Sequence, residues 1–208
     1  GILCGVTAPH GDIWVKVRLV KPSDLKDLKL RAIGSQIPLF VRMGATVNPL
    51  PANETVGAML QGWINAAIFS DPSTDLWLGF PSVSKTYMIG QINGARGLDL
   101  ILNAGIWDSF SPEIREAIAT GCKSNVRRMR SENVKLAQEA VREMQKLGVR
   151  TYSLPDSIMS ALRSAWNEVR SEMATKSPAF AELVKSMTAH ESLMPNPSQR
   201  PDLSAYGL

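Results

Sequence analysis

A chain of 208 residues, 44% hydrophobic and 20% charged, is long enough for one large domain or two modest lobes with a buried core. Its net charge of +4, from 23 basic against 19 acidic residues, and its pI near 9.2 favour anionic partners. The excess is too small and too dispersed to argue for nucleic acid, and no apolar run approaches the ~18 residues of a membrane-spanning helix.

In chain order, the opening GILCGV reads as an interior strand over 2–6; lacking an initiating Met or a signal peptide, it is read as a start within a longer gene product. Further strands are expected at 28–33, 46–49, 64–68 and 98–103, with helical segments at 36–43, 54–61 and 74–88. Such alternation means βα units and a mixed or parallel sheet. The strand at 28–33 carries Arg31 just before Gly34, either as a solvated strand residue or as a cation placed to grip an anion.

From Ser111 the character changes. Ser111 is an N-cap candidate, Pro112 stands at the first helical position, and no further Pro appears before Gly148. Ile114, Ile118, Cys122, Val126, Met129, Val134, Ala137, Val141 and Met144 recur mostly at spacings of three and four, a helical stripe. About 36 residues at ~1.5 Å rise give a helix of ~54 Å, whereas a 100-residue lobe is only about 35 Å across. The helix must bridge two lobes or protrude. Beyond it come a short strand at 149–154, helices at 155–175 and 178–190, and a polar, Pro-rich tail at 194–208 read as a loosely attached extension.

Function classes thin out quickly. There is no Ser-His-Asp, Cys-His, P-loop or dinucleotide signature, and two histidines, His10 and His190, are too few for ordinary acid–base chemistry or a zinc site. Cys4 and Cys122 match no metal spacing; they are expected to be small buried hydrophobes, with a disulfide as the alternative if they meet. Arg127, Arg128 and Arg130 are expected on a solvated helix face, since no aromatic platform accompanies them. Trp14, Trp63, Trp77, Trp107 and Trp166 are expected mostly in the core, with one of them free to line a cleft.

Three segments in order, KPSDLKDLKLR, GATVNPLPANETVGAMLQG and LDLILNAGIWDSFSPEIREAI, resemble the solute-binding proteins of tripartite ATP-independent periplasmic (TRAP) transporters, of the dicarboxylate-binding type. The resemblance covers about residues 8 to 190, with Asp27 where the family pattern has Gly. It implies an α/β, two-lobed periplasmic-binding-protein-like fold with hinge strands and a long helix across both lobes, here lacking the N-terminal part of one lobe. On that reading, residues 1–105 supply βα units of the ligand-binding lobes, 106–150 the bridging helix and 151–193 helices packing on the lobes. It also implies binding and delivery of a small organic acid rather than chemistry, with no cofactor or metal, in the periplasm and in partnership with the transporter's membrane subunits.

By the same resemblance, Arg31 matches the arginine that pairs with a ligand carboxylate, a role suited to a planar guanidinium with parallel donors. The PLPANE loop places Ala52 where an aromatic residue is common, with Asn53 beside it. Ser70 or Asp71 takes a polar ligand-contacting place, although Asp71 would repel an acid and is alternatively the N-cap of a helix starting at Pro72. His10 lies near a second basic position. The competing reading is a structural module with an incomplete cleft, and the missing portion implies self-association or a retained N-terminal piece.

Overall fold

The computed structural model describes residues 1–191; the 194–208 tail lies outside the described residues. Its main body is a six-stranded sheet in the order β4-β3-β5-β2-β6-β8, formed by β2 (Ile13–Val15), β3 (Lys29–Arg31), β4 (Thr46–Asn48), β5 (Ala66–Ile68), β6 (Thr86–Ile89) and β8 (Arg150–Ser153). β3 runs parallel to β4 and β5, and β6 parallel to β8, while β2 is antiparallel to both β5 and β6. Every strand except β2 therefore points the same way, and their carboxyl ends share one edge.

Alternation along these strands feeds two cores. Ile13, Val15, Leu30, Ala66, Ile68 and Met88 pack with Leu39 and Phe40 of α1 (Gln36–Arg42) and Ile158, Leu162 and Ala165 of α7 (Asp156–Lys176). Trp14, Ala67, Tyr87 and Ile89 face the other way, against α2 (Ala52–Leu60), α4 (Phe80–Val83) and the end of the long helix. Both faces are covered, as a largely parallel sheet requires.

That long helix, α6 (Pro112–Lys146), runs 35 residues without a break, through Gly121. Ser111 Oγ accepts a hydrogen bond from Ile114 N at 3.4 Å, capping the first turn. At ~1.5 Å per residue the helix is about 52 Å long. Its carboxyl half buries Ala137, Val141 and Met144 against the six-stranded sheet. Its amino half carries a separate antiparallel ribbon of β1 (Ile2–Val6) and β7 (Gly97–Leu100). The Asn125 and Asn133 side chains donate to the Cys4 and Val6 carbonyls of β1 at 2.7 and 2.6 Å, and a disulfide joins Cys4 to Cys122. The cysteines are thus a covalent staple, not two inert hydrophobes: packing of β1 along α6 brings together residues 118 positions apart.

The other differences are local. In place of one helix over 74–88 stand α3 (Pro72–Trp77), α4 and strand β6. Gly79 at φ +86° ends α3 in a left-handed conformation that only glycine adopts freely, and the Thr-Tyr-Met-Ile run then pairs between β2 and β8. Strand β2 and helix α5 (Ala104–Ser109), whose N-cap Asn103 accepts from Ile106 N at 3.2 Å, were not anticipated. The terminal helices are α7 and α8 (Pro178–Glu191). Arg127, Arg128 and Arg130 are solvated, as expected. Of the tryptophans, Trp14 is core, whereas Trp63 and Trp77 are 68% and 84% exposed, against the expectation of core packing. Among the described residues no helix is long and apolar enough to cross a membrane.

Candidate functional site

The shared carboxyl edge of the strands opens into a cleft of about 830 Å³. It is bounded by the turn after β3, by Phe69 just past β5, by Ile89–Asn93 after β6, and by Ser153 and α7 after β8. Ligands of open α/β sheets sit in this position, outside the carboxyl ends of the strands.

Arg31 is the last residue of β3 and is 4% exposed. Its Nε donates to the Leu50 carbonyl at 3.2 Å and its Nη1 to the Ile68 carbonyl at 2.9 Å. The guanidinium lies over the Phe69 ring at 4.7 Å from the centroid, a cation–π contact that fixes its plane. Nη2 has no hydrogen-bond partner among the described residues. Burial lowers the Arg31 pKa, opposed by the nearby Asp75 carboxyl; an arginine starting so high stays charged.

Beneath it lies a buried acidic layer. Asp75 Oδ2 accepts from Trp14 Nε1 at 2.8 Å and Oδ1 from Ser70 N at 3.1 Å, tying the loop before α3 to the centre of the sheet. Burial pushes the Asp75 carboxyl up to about 8, against the pull of those hydrogen bonds. Asp12 accepts from Tyr87 Oη at 2.9 Å and from Gly90 N and Gln91 N at 2.9 and 2.8 Å, fastening the turn that lines the cleft. Burial raises its pKa as well.

His10 is buried and pairs with Gly94 in an isolated bridge; its Nδ1 lies 3.2 Å from the Ala8 carbonyl. That contact assigns the proton to Nδ1 and leaves Nε2 a buried acceptor with no partner among the described residues. Burial, and then the neighbouring Arg96 charge, lower its pKa, so the ring is neutral at pH 7. The next residue is necessarily glycine: Gly11 has φ +95°, and a Cβ there would stand 2.8 Å from Asn93 N.

Of the residues singled out from the sequence, Arg31, Ser70, Asp71 and His10 surround this layer. Asp71 is the N-cap of α3. Its Oδ1 accepts from Ser73 N and Thr74 N at 3.0 and 3.1 Å and from the Ser73 hydroxyl; its Oδ2 accepts from Thr74 Oγ1 at 2.9 Å and Ser70 Oγ at 3.3 Å. Burial alone would raise its pKa, but those bonds hold it below the usual carboxylate range. With both oxygens occupied, capping is the role the geometry gives it. Asn53 stands apart, exposed on the first turn of α2. Sequence reasoning missed Phe69, Asp12 and Asp75, each defined by partners distant in the chain. Trp166 of α7 is the tryptophan that lines the cleft.

Bacterial extracellular solute-binding protein family 7 (DctP) matches residues 15–177, and the chain belongs to that family. It is 27% identical over 186 residues to the monocarboxylate 2-oxoacid-binding periplasmic protein of Nostoc sp. (strain PCC 7120), covering 89% of this chain and 51% of that protein. The crystal structure of a TRAP periplasmic solute-binding protein from Colwellia psychrerythraea with bound calcium and pyruvate is similar, with TM-score 0.83 and 25% identity, over 92% of this chain and 59% of that one. A TRAP periplasmic solute-binding protein from Rhodoferax ferrireducens, with bound malonate, gives TM-score 0.78 at 21% identity, over 93% of this chain and 63% of that one. The chain thus spans about half the length of its curated relative.

The Colwellia protein holds calcium with its ligand. Among the described residues no three His, Cys, Asp or Glu side chains gather into a set that could hold a metal ion. The Asp71 and Asp75 carboxylates already accept hydrogen bonds on both oxygens.

Proposed function

We propose that this chain is part of a periplasmic receptor that binds a small organic acid through an Arg31–carboxylate clamp and delivers it to the membrane subunits of a TRAP-type transporter. The observation that carries the reading is the state of Arg31. A buried cation is costly unless partnered, and this one is held rigid by two carbonyls and the Phe69 ring while Nη2 stays uncommitted at the sheet edge. A carboxylate docking there completes a charge-assisted pair. Family membership and the carboxylates bound by the Colwellia and Rhodoferax proteins support the same ligand class. His10 Nε2, a bare acceptor, suits a hydroxyl or N–H on the ligand; Ser70 supplies a further polar contact, and Asn53 a rim position.

The test is a calorimetric titration with pyruvate and malonate. Charge-assisted hydrogen bonds contribute about 1.5–3 kcal/mol each, so Arg31→Ala weakens binding by ~3 kcal/mol or more, over 100-fold. Arg31→Lys keeps the charge without the fork and recovers part of the loss. An Arg31→Ala protein that folds and binds as tightly as wild type refutes the clamp.

A second reading, a self-associating structural module, has its own observation in favour. The β1–β7 ribbon has no further strand on either edge among the described residues, and Leu3, Leu98, Ile101 and Ile106 around it are 51%, 46%, 75% and 54% exposed. Such edges recruit partners: another copy, or an N-terminal fragment.

A further inference from the structure

We infer that Asp75 is a proton-linked positioning residue for the Arg31 site: an acid binding at Arg31 draws a proton from solvent onto the Asp75 carboxyl, and the ionised carboxylate opposes that binding. The inference rests on the Arg31 reading and adds the group that sets how much of the Arg31 charge a ligand meets. Sheet register puts the two groups on one face. Arg31 pairs with Ala67 across β3 and β5, Ala67 with Trp14 across β5 and β2, and Trp14 with Tyr87 across β2 and β6. Residues in register on neighbouring strands point to the same side, so Arg31, Trp14 and Tyr87 form one row on the face that buries the two aromatic rings. Each ring donates its polar hydrogen to a buried carboxyl, Trp14 Nε1 to Asp75 and Tyr87 Oη to Asp12. Strand β5 ties the row together: its Ile68 carbonyl accepts from Arg31, and Ser70 N, two residues on, donates to Asp75.

Asp75 is 0% exposed and receives one neutral N–H on each oxygen. Among the described residues no cation donates to it. Its neighbour Asp71 shows the contrast, held ionised by five hydrogen bonds from Ser70, Ser73 and Thr74. The charged groups that act on Asp75 are Arg31, Asp12 and Asp71. The helices packed on α3 add none. Helix α6 turns Ala137, Val141 and Met144 inward while its Lys135, Glu139, Arg142 and Glu143 are exposed, and α4 offers Phe80 and Val83. Lys16, also exposed, donates to the Val83 carbonyl. Two carboxyls thus oppose ionisation of Asp75 and one guanidinium favours it. Burial decides the balance and raises its pKa to about 8.

The consequence follows from charge. Arg31 makes no ion pair among the described residues, so a neutral Asp75 leaves the guanidinium its full charge for a ligand carboxylate. An ionised Asp75 offsets that charge and repels the incoming anion. Linkage is reciprocal: a bound carboxylate makes Asp75 harder to ionise, and the protein takes up a proton as it binds. Asp75 touches no ligand in this scheme and acts through Arg31.

The test is calorimetric titration of the purified protein with pyruvate, and in parallel malonate, from pH 7 to pH 9, where both acids are fully ionised, in buffers of different ionisation enthalpy so that proton exchange is read directly. Circular dichroism at each pH checks that the protein is folded. For a group titrating near 8, the protonated, binding-competent fraction falls about tenfold over that range, and Kd should rise by the same factor, with net proton uptake on binding. Asp75→Asn, which cannot ionise, should lose both the slope and the uptake. Trp14→Phe removes a hydrogen bond that lowers the Asp75 pKa, so it should move the fall in affinity to higher pH; this second variant tests the linkage if Asp75→Asn does not fold. A wild-type Kd constant from pH 7 to pH 9, no proton uptake, or an Asp75→Asn protein that keeps the wild-type slope overturns the inference. Arg31→Ala separates the two readings. If it loses binding at every pH while wild type shows no slope, the clamp stands and this inference falls; if it binds as tightly as wild type, or if neither acid binds wild type, the clamp falls and takes the inference with it.

Discussion

Reducing the Cys4–Cys122 bond should uncouple the amino half of the long helix from its ribbon. The bond closes a loop of 118 residues, and in the chain-entropy account a loop of that length constrains the unfolded state by about 5 kcal/mol. Each kcal/mol moves the midpoint of a chain this size by roughly 2–4 °C, so Tm should fall by roughly 10–20 °C. The loss is also local. Among the described residues the carboxyl end of α6 is anchored independently by Ala137, Val141 and Met144, whereas the stretch before it has the ribbon, Asn125, Asn133 and the disulfide. Thermal unfolding followed by circular dichroism, with and without reductant and with free thiols counted, measures the shift. Hydrogen exchange locates it: amides of 112–130 should lose protection before those of 137–146. A midpoint within ~3 °C of the oxidised protein, with both thiols shown to be free, would refute the claim that the staple holds the two sheets on one helix. A Cys4→Ala/Cys122→Ala double variant should reproduce the reduced state without reductant.

Asp75 makes stability pH-dependent. Its folded pKa, raised to about 8 from 3.8, lies above the unfolded one, so the stabilisation is complete below pH ~4 and is lost as pH rises toward 8, at up to ~1.4 kcal/mol per pH unit. Urea unfolding from pH 5 to 8 should show this slope in wild type and a flatter one in Asp75→Asn; identical slopes would place the proton elsewhere. Gly11→Ala sets a Cβ 2.8 Å from Asn93 N at φ +95°, and strain of about 1–3 kcal/mol should lower Tm by several degrees and weaken acid binding together. The exposed ribbon should make the chain a dimer or retain a second polypeptide; a monodisperse monomer in light scattering, with no second polypeptide in mass spectrometry, would remove both versions.

What could be read ahead of the structure divides by how far apart the determining residues lie. Helix α6 was legible because its signals are contiguous: a capping Ser111, Pro112 in the first turn and a stripe sustained to Met144. Length alone then argued that it reaches past one lobe. Strand β6 was not, because four residues, Thr-Tyr-Met-Ile, are too short for periodicity to separate a buried strand from a helix, and the Gly79 break is invisible until its backbone turns left-handed.

The site follows the same rule with a chemical twist. Arg31 stood out because a motif carried it, yet its orientation comes from the Leu50 and Ile68 carbonyls, 19 and 37 residues away. Asp75 reads locally as an ordinary acid in the first turn of a helical segment, and it is buried because a tryptophan 61 residues earlier donates to it. Asp71 went the other way. Its acceptors are consumed by Ser73 and Thr74, two and three residues on, so the local capping pattern was the better guide. In this protein a polar residue whose partners lie within one helical turn is spoken for by the fold. The two with unspent capacity, a donor at Arg31 Nη2 and a buried acceptor at His10 Nε2, are the ones the proposed clamp assigns to a ligand.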